Sequence, residues 1–237
     1  MSLNNISFVL GKGGLGRPLS GEDFISALLF YSNNLPSGFT SNARIKQFFS
    51  VADAEAAGIV NDYSDATAAA GKFTVTAVGA NGDTVQLKVS DLDASGNART
   101  LSFGTYIKVS GDNSVTKVGD AIAAIINAGT IEHGYSAAND AGEVTITAPK
   151  RLGIFLNSGS PLSAVYSDGA TLAGTITQFT GGVASKFAVM HYHISEYFRI
   201  IPQGNLYVGI YAVPVGAYTF SEITNIQTFA GGKVRQV

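Results

Sequence analysis

The sequence predicts an α/β (α+β) fold, in which a discontinuous α/β sandwich domain is interrupted by an inserted β-rich module that contains one helix. Residues 1–70 and 183–237 mix short apolar strands with amphipathic helices. Residues 71–182 are rich in Thr, Val, Gly and Asp, and their polarity alternates with a period of two. The outer zones need each other to complete one sheet. We therefore expect one domain from residues 1–70 with 183–237, and a second from 71–182.

The composition indicates a folded chain and gives no charge-based reason to expect an anionic partner. Of the 237 residues, 46% are hydrophobic and 14% are charged, a balance typical of globular proteins. The net charge of -2 argues against nucleic acid and anionic membranes as partners. The chain has no cysteine, which excludes disulfides and thiolate sites. No signal peptide is recognisable, and no apolar run approaches the roughly 20 residues of a membrane helix.

The first zone predicts strands followed by a capped helix. The runs "ISFVL" (6–10), "FISALLFYS" (24–32) and "RIKQFFS" (44–50) are apolar and rich in aromatic or β-branched residues, as strands are. The length of the second run also allows a short helix. Ser50 and Asp53 form an S-x-x-D capping signal for a helix over "VADAEAAGI".

The middle zone begins after a polar segment, residues 61–71, which we expect to be a linker. "KFTVTAV", the turn "GANGD" and "TVQLKVS" predict a β-hairpin over residues 72–90. Strands are also expected at "TLSF", "YIKVS", "GEVTITA" and "TITQF". Ser114 and Gly129 are the expected ends of one helix. Its apolar face consists of Val115, Val118, Ile122, Ile125 and Ile126.

The last zone returns to helical periodicity. A helix is predicted from apolar residues at three- and four-residue steps, namely Phe187, Met190, Ile194, Tyr197 and Ile201. "NLYVGIYAVP" (205–214) is almost entirely apolar, as a strand covered on both faces requires. Ser221 is expected to cap a short helix, and "KVRQV" (233–237) to begin a new strand. Because the chain stops there, we expect a further domain after Val237.

The glycine-rich stretch Gly11–Gly16 matches G-x-G-x-x-G, a dinucleotide-binding pattern. In that fold the third glycine begins a helix and an acidic residue follows about 20 positions later. Here Pro18 follows almost directly and biases Arg17 away from helical geometry. No G-K-[ST] follows either. We therefore expect a glycine-rich connection and no cofactor, with Lys12 and Arg17 able to contact an anion on a partner surface.

One segment has the spacing with which a calcium loop begins. Asp91, Asp93 and Ser95 are the candidate ligands, but Ser102 occupies the position that should supply a bidentate carboxylate. The alternative is a polar hairpin turn, which Asp, Ser, Gly and Asn form readily. Otherwise we expect no metal site.

No set of residues predicts catalysis. His191 and His193 are two residues apart on a helix, so they point about 200° apart and cannot share a metal ion. His133 is isolated in the sequence. No G-x-S-x-G, H-E-x-x-H or S-x-x-K motif stands between a strand and a helix. We therefore predict no catalytic residue, and a protein that is not an enzyme.

Several segments taken together resemble a known family. These are "GKGGLGRPLSGEDFISALLFY" (11–31), "IKQFFSVADAEAAGI" (45–59) and "VMHYHISEYFRIIPQGNLYVGIY" (189–211). They look like the amino-terminal half of tail sheath proteins from contractile phage tails, and especially a prophage sheath-like group of formerly unknown function. The runs 114–129 and 135–153 resemble a β module common in such subunits.

The resemblance implies a structural subunit that stacks in rings around a tail tube and contracts. Its partners would be other sheath subunits, tail tube proteins and baseplate proteins, in a virion tail or a contractile particle assembled in the cytoplasm. The domain that would line the tube is expected after Val237, so this part alone is expected to be monomeric. Extended ends such as "NNISFVL" would pair with neighbours or complete the chain's own sheet. An alternative function stays open, a surface-binding β module that recognises a glycan or a protein.

Overall fold

The computed structural model describes residues 25–235, and these divide into two compact units. Unit 1 comprises Met1–Asn61 and Phe187–Val237, and unit 2 comprises Asp62–Lys186. The sequence analysis drew these borders at 70/71 and 182/183, so the structure gives several more residues at each end to unit 2. The glycine-rich stretch Gly11–Gly16 and the strand predicted at 6–10 lie outside the described residues.

The described residues contain both helices and strands, in several sheets, which confirms the predicted α+β class. The strands are β1 (Ile25–Tyr31), β2 (Ile45–Phe48), β3 (Ala70–Val78), β4 (Thr84–Leu92), β5 (Ala98–Ile107), β6 (Ser136–Asp140), β7 (Glu143–Thr147), β8 (Leu162–Tyr166), β9 (Leu172–Thr180) and β10 (Asn205–Tyr211). The helices are α1 (Val51–Ala56), α2 (Val115–Ala128), α3 (Thr130–His133), α4 (Lys186–Ile200) and α5 (Glu222–Phe229), with a 3₁₀ segment at Lys150–Asn157.

Unit 1 is built on a three-stranded sheet in the order β1-β10-β2. Strand β10 runs parallel to β1 and antiparallel to β2. Its five inner residues are all buried, which confirms the prediction of a strand covered on both faces. Helices α1 and α4 contribute to the core on one face, where Ile194 packs, and α5 inserts Ile226 into the core on the other.

The helix ends in unit 1 differ in how well the sequence signals them. Ser50 caps α1 as predicted, because its hydroxyl accepts from the Asp53 amide at 3.1 Å. Ser221 does not cap α5, since its own backbone is helical and its side chain bonds no amide of the helix. The strand predicted at "KVRQV" is also wrong for Lys233–Arg235, which are irregular. The Arg235 amide nevertheless donates to the Ile25 carbonyl at 3.0 Å, at the start of β1.

Unit 2 has two sheets, in the orders β6-β7-β3-β9 and β5-β4-β8, that share one core with α2. Helix α2 confirms its prediction: the Ser114 hydroxyl accepts from the Lys117 amide at 3.3 Å, and Gly129 follows the last turn. Tyr135, Phe73 and Phe179 are among the largest fully buried side chains. Strands β6 and β8, helix α3 and the 3₁₀ segment were not predicted.

The hairpin predicted over residues 72–90 is wrong. Strands β3 and β4 belong to different sheets, and each pairs with other strands on both sides. Both strands bury alternate residues in the same core, so the five-residue connection carries the chain from one sheet to the other. Period-two alternation identifies strands, but it does not identify their partners.

The segment predicted as a linker, residues 61–71, is largely structured. The backbones of Thr67 and Val183 pair through two hydrogen bonds of 3.0 and 3.1 Å. The Asp65 carboxylate accepts from the Ser185 hydroxyl at 2.5 Å and from the Lys186 amide at 2.7 Å. The chain therefore enters and leaves unit 2 along adjacent paths, held by a paired neck.

Candidate interaction surface

The predicted calcium ligands do not share a site. Asp91 lies in β4 and is buried, and its carboxylate accepts from Arg99 at 2.7 Å and from the Tyr135 hydroxyl at 2.8 Å. Asp93 instead accepts from the Ser95 amide at 2.8 Å and the Asn97 amide at 2.9 Å. The hydrogen bonds from Asn97 lower the pKa of Asp93. Strands β4 and β5 are antiparallel neighbours, so the alternative of a polar hairpin turn is confirmed.

Burial and charge explain how Asp91 is held. Burial is the largest cause that raises the pKa of the Tyr135 phenol, and its hydrogen bond to Asp91 raises that pKa further. The hydrogen bond to Asp91 raises the pKa of Arg99. The buried Asp91 carboxylate is thus paired with the Arg99 cation and hydrogen-bonded by the Tyr135 phenol, as a buried charge requires. Among residues 25–235 no three His, Cys, Asp or Glu side chains cluster as metal ligands would.

The three histidines contact different residues and do not form a common site. His191 Nε2 lies 2.9 Å from Glu55 Oε1, and its Nδ1 lies 3.3 Å from the Ser195 hydroxyl. His193 lies near the Phe30 ring, with centroids 6.1 Å apart. His133 Nδ1 accepts from the Tyr135 amide at 3.1 Å, and burial lowers the pKa of His133.

The Glu55, His191 and Ser195 side chains form a hydroxyl–imidazole–carboxylate chain that the sequence analysis missed. Glu55 comes from α1, whereas Ser195 follows His191 by one helical turn of α4. A nucleophilic serine needs hydrogen-bond donors, from backbone amides or polar side chains, around the developing oxyanion. The backbone amides around Ser195 are engaged in the helical hydrogen bonds of α4. The Glu55–His191–Ser195 contacts link α1 to α4.

An apolar segment, residues 212–220, exposes several of its apolar side chains. Val215 is fully exposed, and Tyr218 and Phe220 are about half exposed. The Tyr31 ring at the end of β1 lies edge-on to Tyr218, with centroids 4.8 Å apart, and Phe220 stacks on Tyr218 at 6.1 Å. Single exposed apolar residues are common on protein surfaces, whereas a cluster of exposed aromatic rings is typical of a contact surface.

Hydrogen bonds hold both ends of the apolar segment. The Val213 amide donates to Asn33 Oδ1 at 3.0 Å, and the Tyr31 hydroxyl donates to Glu222 at 2.9 Å. Burial and the bond to Glu222 raise the pKa of Tyr31. Two hydrogen bonds lower the pKa of Glu222. The larger effect comes from its own backbone amide at the start of α5, and the smaller from the Tyr31 hydroxyl. The exposed aromatic rings are therefore presented by an ordered segment.

The sheet of unit 1 ends in strands on both sides. Strands β1 and β2 are its edges, so within residues 25–235 neither has a strand partner on its outer side. A groove of about 490 Å³ runs beside β2, lined by residues 45–48, α1 and the exposed Phe229 ring. Open edges can pair with another chain through main-chain hydrogen bonds.

The apolar segment has only a weak signature in the amino-acid sequence. "AVPVGAYTF" continues the apolar run of β10 past Pro214, without a period of two or of 3.6. After Pro214 the chain stays apolar but shows the periodicity of neither a strand nor a helix. This pattern is consistent with a loop that exposes apolar side chains.

No protein-family model matches the chain, and no curated protein is significantly similar to it in sequence. Within residues 25–235 no helix combines the length and the apolar character needed to cross a bilayer.

Proposed function

We propose that the chain is a structural subunit of a contractile tail sheath, from a phage or a phage-like injection system, that polymerises around a tail tube and contracts. The observation that supports this proposal best is the combination, among residues 25–235, of two edge strands without an outer strand partner and an exposed apolar segment anchored at both ends. A subunit that repeats along a tube needs such surfaces and needs no reactive group. The partners proposed are other sheath subunits, tail tube proteins and baseplate proteins.

The two kinds of surface have different roles in this proposal. Aromatic side chains supply most of the binding energy of protein interfaces and release water when they are covered. Main-chain pairing at a sheet edge adds direction, because the hydrogen bonds fix strand register. Tyr218 and Phe220 are therefore proposed as anchors, and β1 and β2 as the strands that set the orientation of neighbouring subunits.

Unit 2 is proposed to decorate the outside of the tube. It is inserted in a loop of unit 1, and its paired neck at Thr67 and Val183 lets it fold around its own core. Insertions of this kind are best tolerated at exposed positions. The particle would then be a virion tail or a contractile assembly built in the cytoplasm.

Electron microscopy of the full-length natural protein, co-expressed with the tube protein of its own gene cluster, tests the proposal. Hollow tubes or stacked rings are expected, and the double variant Tyr218→Ser, Phe220→Ser is expected to abolish them. The matched control is Ile131→Ser, which changes a fully exposed apolar residue of unit 2. A full-length protein that stays monomeric with its tube protein present would contradict the proposal.

A further inference from the structure

Unit 2 contains an open cavity of about 720 Å³ that the assembly proposal does not use. Its lining residues are the polar Ser90, Asn157, Ser158 and Ser160 and the apolar Ile154, Phe155 and Pro161. Small-molecule sites commonly have volumes of roughly 300–1,000 Å³ and combine apolar walls with a few polar groups. The cavity therefore has the size and the mixed chemistry of a ligand site.

The 3₁₀ segment Lys150–Asn157 forms the apolar wall. Leu152 and Leu156 are buried in the core of unit 2, whereas the intervening Ile154 and Phe155 are 62% and 44% exposed. The backbone between them kinks at Gly153, with φ 46° and ψ −123°. A Cβ atom at Gly153 would lie 2.9 Å from Ala184 Cα, so only glycine fits. Strained backbone of this kind is often found at binding sites.

Three of the lining residues are held by hydrogen bonds. Asn157 Nδ2 donates to the Gly182 carbonyl at 2.8 Å, and the Gly182 amide donates back to Asn157 Oδ1 at 2.9 Å. The Ser90 amide donates to the Pro161 carbonyl at 2.9 Å, which joins two lining residues. The site is thus largely preformed, which lowers the entropic cost of binding.

The chemistry of the lining defines the ligand. The lining residues include no Asp, Glu, Lys, Arg or His, so nothing in the cavity complements a charged ligand. In the part of the chain that the structure describes, the hydroxyls of Ser90, Ser158 and Ser160 make no hydrogen bond to protein groups. A purely apolar ligand would strip water from these hydroxyls without replacing its hydrogen bonds. A ligand with its own hydroxyls and an apolar C–H face would satisfy both the serines and the Phe155 ring.

We propose that this cavity binds a neutral saccharide, with Phe155 stacked on the apolar face of a sugar ring and the three serines bonded to its hydroxyls. The inference goes beyond the assembly function and does not depend on it. All its residues lie in unit 2, whereas the assembly variants lie in unit 1.

A glycan array followed by an NMR titration tests the proposal. The labelled full chain is first applied to immobilised neutral and sialylated glycans. Maltose, cellobiose, lactose or N,N′-diacetylchitobiose, together with any neutral array hit, is then titrated into ¹⁵N-labelled protein. We expect at least one neutral glycan to shift the amide signals of residues 154–160, and Phe155→Ala to weaken its binding by about tenfold or more. Phe49→Ala, which changes a comparably exposed ring of unit 1, is expected to leave the affinity unchanged.

Three results would overturn the proposal. The first is the absence of any signal shift with all array hits and all four disaccharides at 50-fold or greater excess. The second is saccharide binding that Phe155→Ala leaves intact, which would locate the binding elsewhere. The third is binding of dodecyl maltoside through its tail while maltose does not bind, which would indicate an apolar docking surface. The double variant Ser158→Ala, Ser160→Ala distinguishes saccharide binding from binding of the detergent tail, because it should weaken only saccharide binding.

Discussion

At the residue scale, two aspartates of unit 2 show how position decides the role of a carboxylate. Asp91 is buried and balanced by Arg99 and the Tyr135 hydroxyl, so it serves the core. Asp83 lies in the connection between β3 and β4, where one of its oxygens accepts from the Ala80, Thr171 and Leu172 amides at 2.7 to 2.9 Å. The same atom also accepts from the Thr171 hydroxyl. Asp83 therefore ties the connection to the start of β9.

These hydrogen bonds make Asp83 a source of acid sensitivity. They lower the pKa of its carboxyl from 3.8 to about 2, with the Ala80 amide as the largest cause. Because the folded pKa lies below the unfolded one, the stabilisation is present above about pH 4 and is lost as the pH falls towards 2. Asp83→Asn keeps an acceptor oxygen but removes the charge. We expect its melting temperature to fall less than that of the wild type between pH 5 and pH 2.5.

Thermal unfolding followed by circular dichroism across this pH range measures the difference. Asp168→Asn is the matched control, since Asp168 is an exposed acid in a nearby turn. It should retain the pH response of the wild type. If Asp83→Asn retained it too, the hydrogen bonds to Asp83 would not be the cause of the acid sensitivity.

Among the helices and strands, the sequence predicts features that depend on neighbouring residues, such as helix caps, but not which strands pair in a sheet. Helices α1 and α2 were predicted because Ser50 and Ser114 cap them through contacts three residues away. Strands β3 and β4 were predicted as strands but paired wrongly. The partners of β3, strands β7 and β9, lie far along the chain, whereas β4 pairs with the next strand, β5, and with the distant β8. Strand β6 was missed because it is short and largely polar. The cavity was not predicted, because its shape depends on how residues 154–161 pack beside Ser90, which lies more than sixty positions earlier in the chain.

The connection between β3 and β4 depends on two glycines that can be compared directly. Gly79 and Gly82 have φ values of +73° and +92°. A Cβ atom at Gly79 would lie 2.5 Å from the Leu172 amide nitrogen, whereas one at Gly82 would meet nothing within 4 Å. Gly82→Ala therefore has only the conformational cost, about 1 kcal/mol of unfolding free energy. Gly79→Ala adds a collision with backbone, and we expect a loss of about 3 kcal/mol or more.

Urea denaturation of both variants measures these losses in unfolding free energy. The comparison is controlled internally, because both substitutions impose a positive φ on alanine within one five-residue connection. Equal losses in the two variants would show that the approach of Leu172 to Gly79 has no structural importance.

At the scale of the whole molecule, the discontinuous organisation assigns separate tasks to the two units. Among residues 25–235, unit 1 presents the apolar segment and the edge strands β1 and β2, and unit 2 contains the cavity that we propose to bind a saccharide. Composition predicts an inserted module over residues 71–182, whereas the contacts of the fold place unit 2 at Asp62–Lys186. The neck has no sequence signature, because the Asp65 carboxylate and the Ser185 hydroxyl are 120 positions apart and meet only in the fold.

The neck also predicts that unit 2 folds without unit 1. Thr67 and Val183 close the ends of unit 2 against each other, so an isolated chain of residues 62–186 has termini that already lie side by side. Its core, which includes Phe73, Tyr135 and Phe179, lies wholly within that range. We expect one cooperative unfolding transition, with a free energy of about 5–15 kcal/mol as in other single domains.

Asp65→Ala in the isolated unit distinguishes the neck from the core as the source of this independence. The substitution removes the acceptor for the Ser185 hydroxyl and the Lys186 amide, so amide exchange should accelerate at the ends of the unit. Exchange in β3 and β7, which pair in the centre of one sheet, should not change. Hydrogen exchange measured by NMR compares the two regions in one experiment. Uniform acceleration would mean that the neck stabilises the whole of unit 2, including its core. A wild-type unit without a cooperative transition would mean that unit 2 depends on unit 1 for its fold.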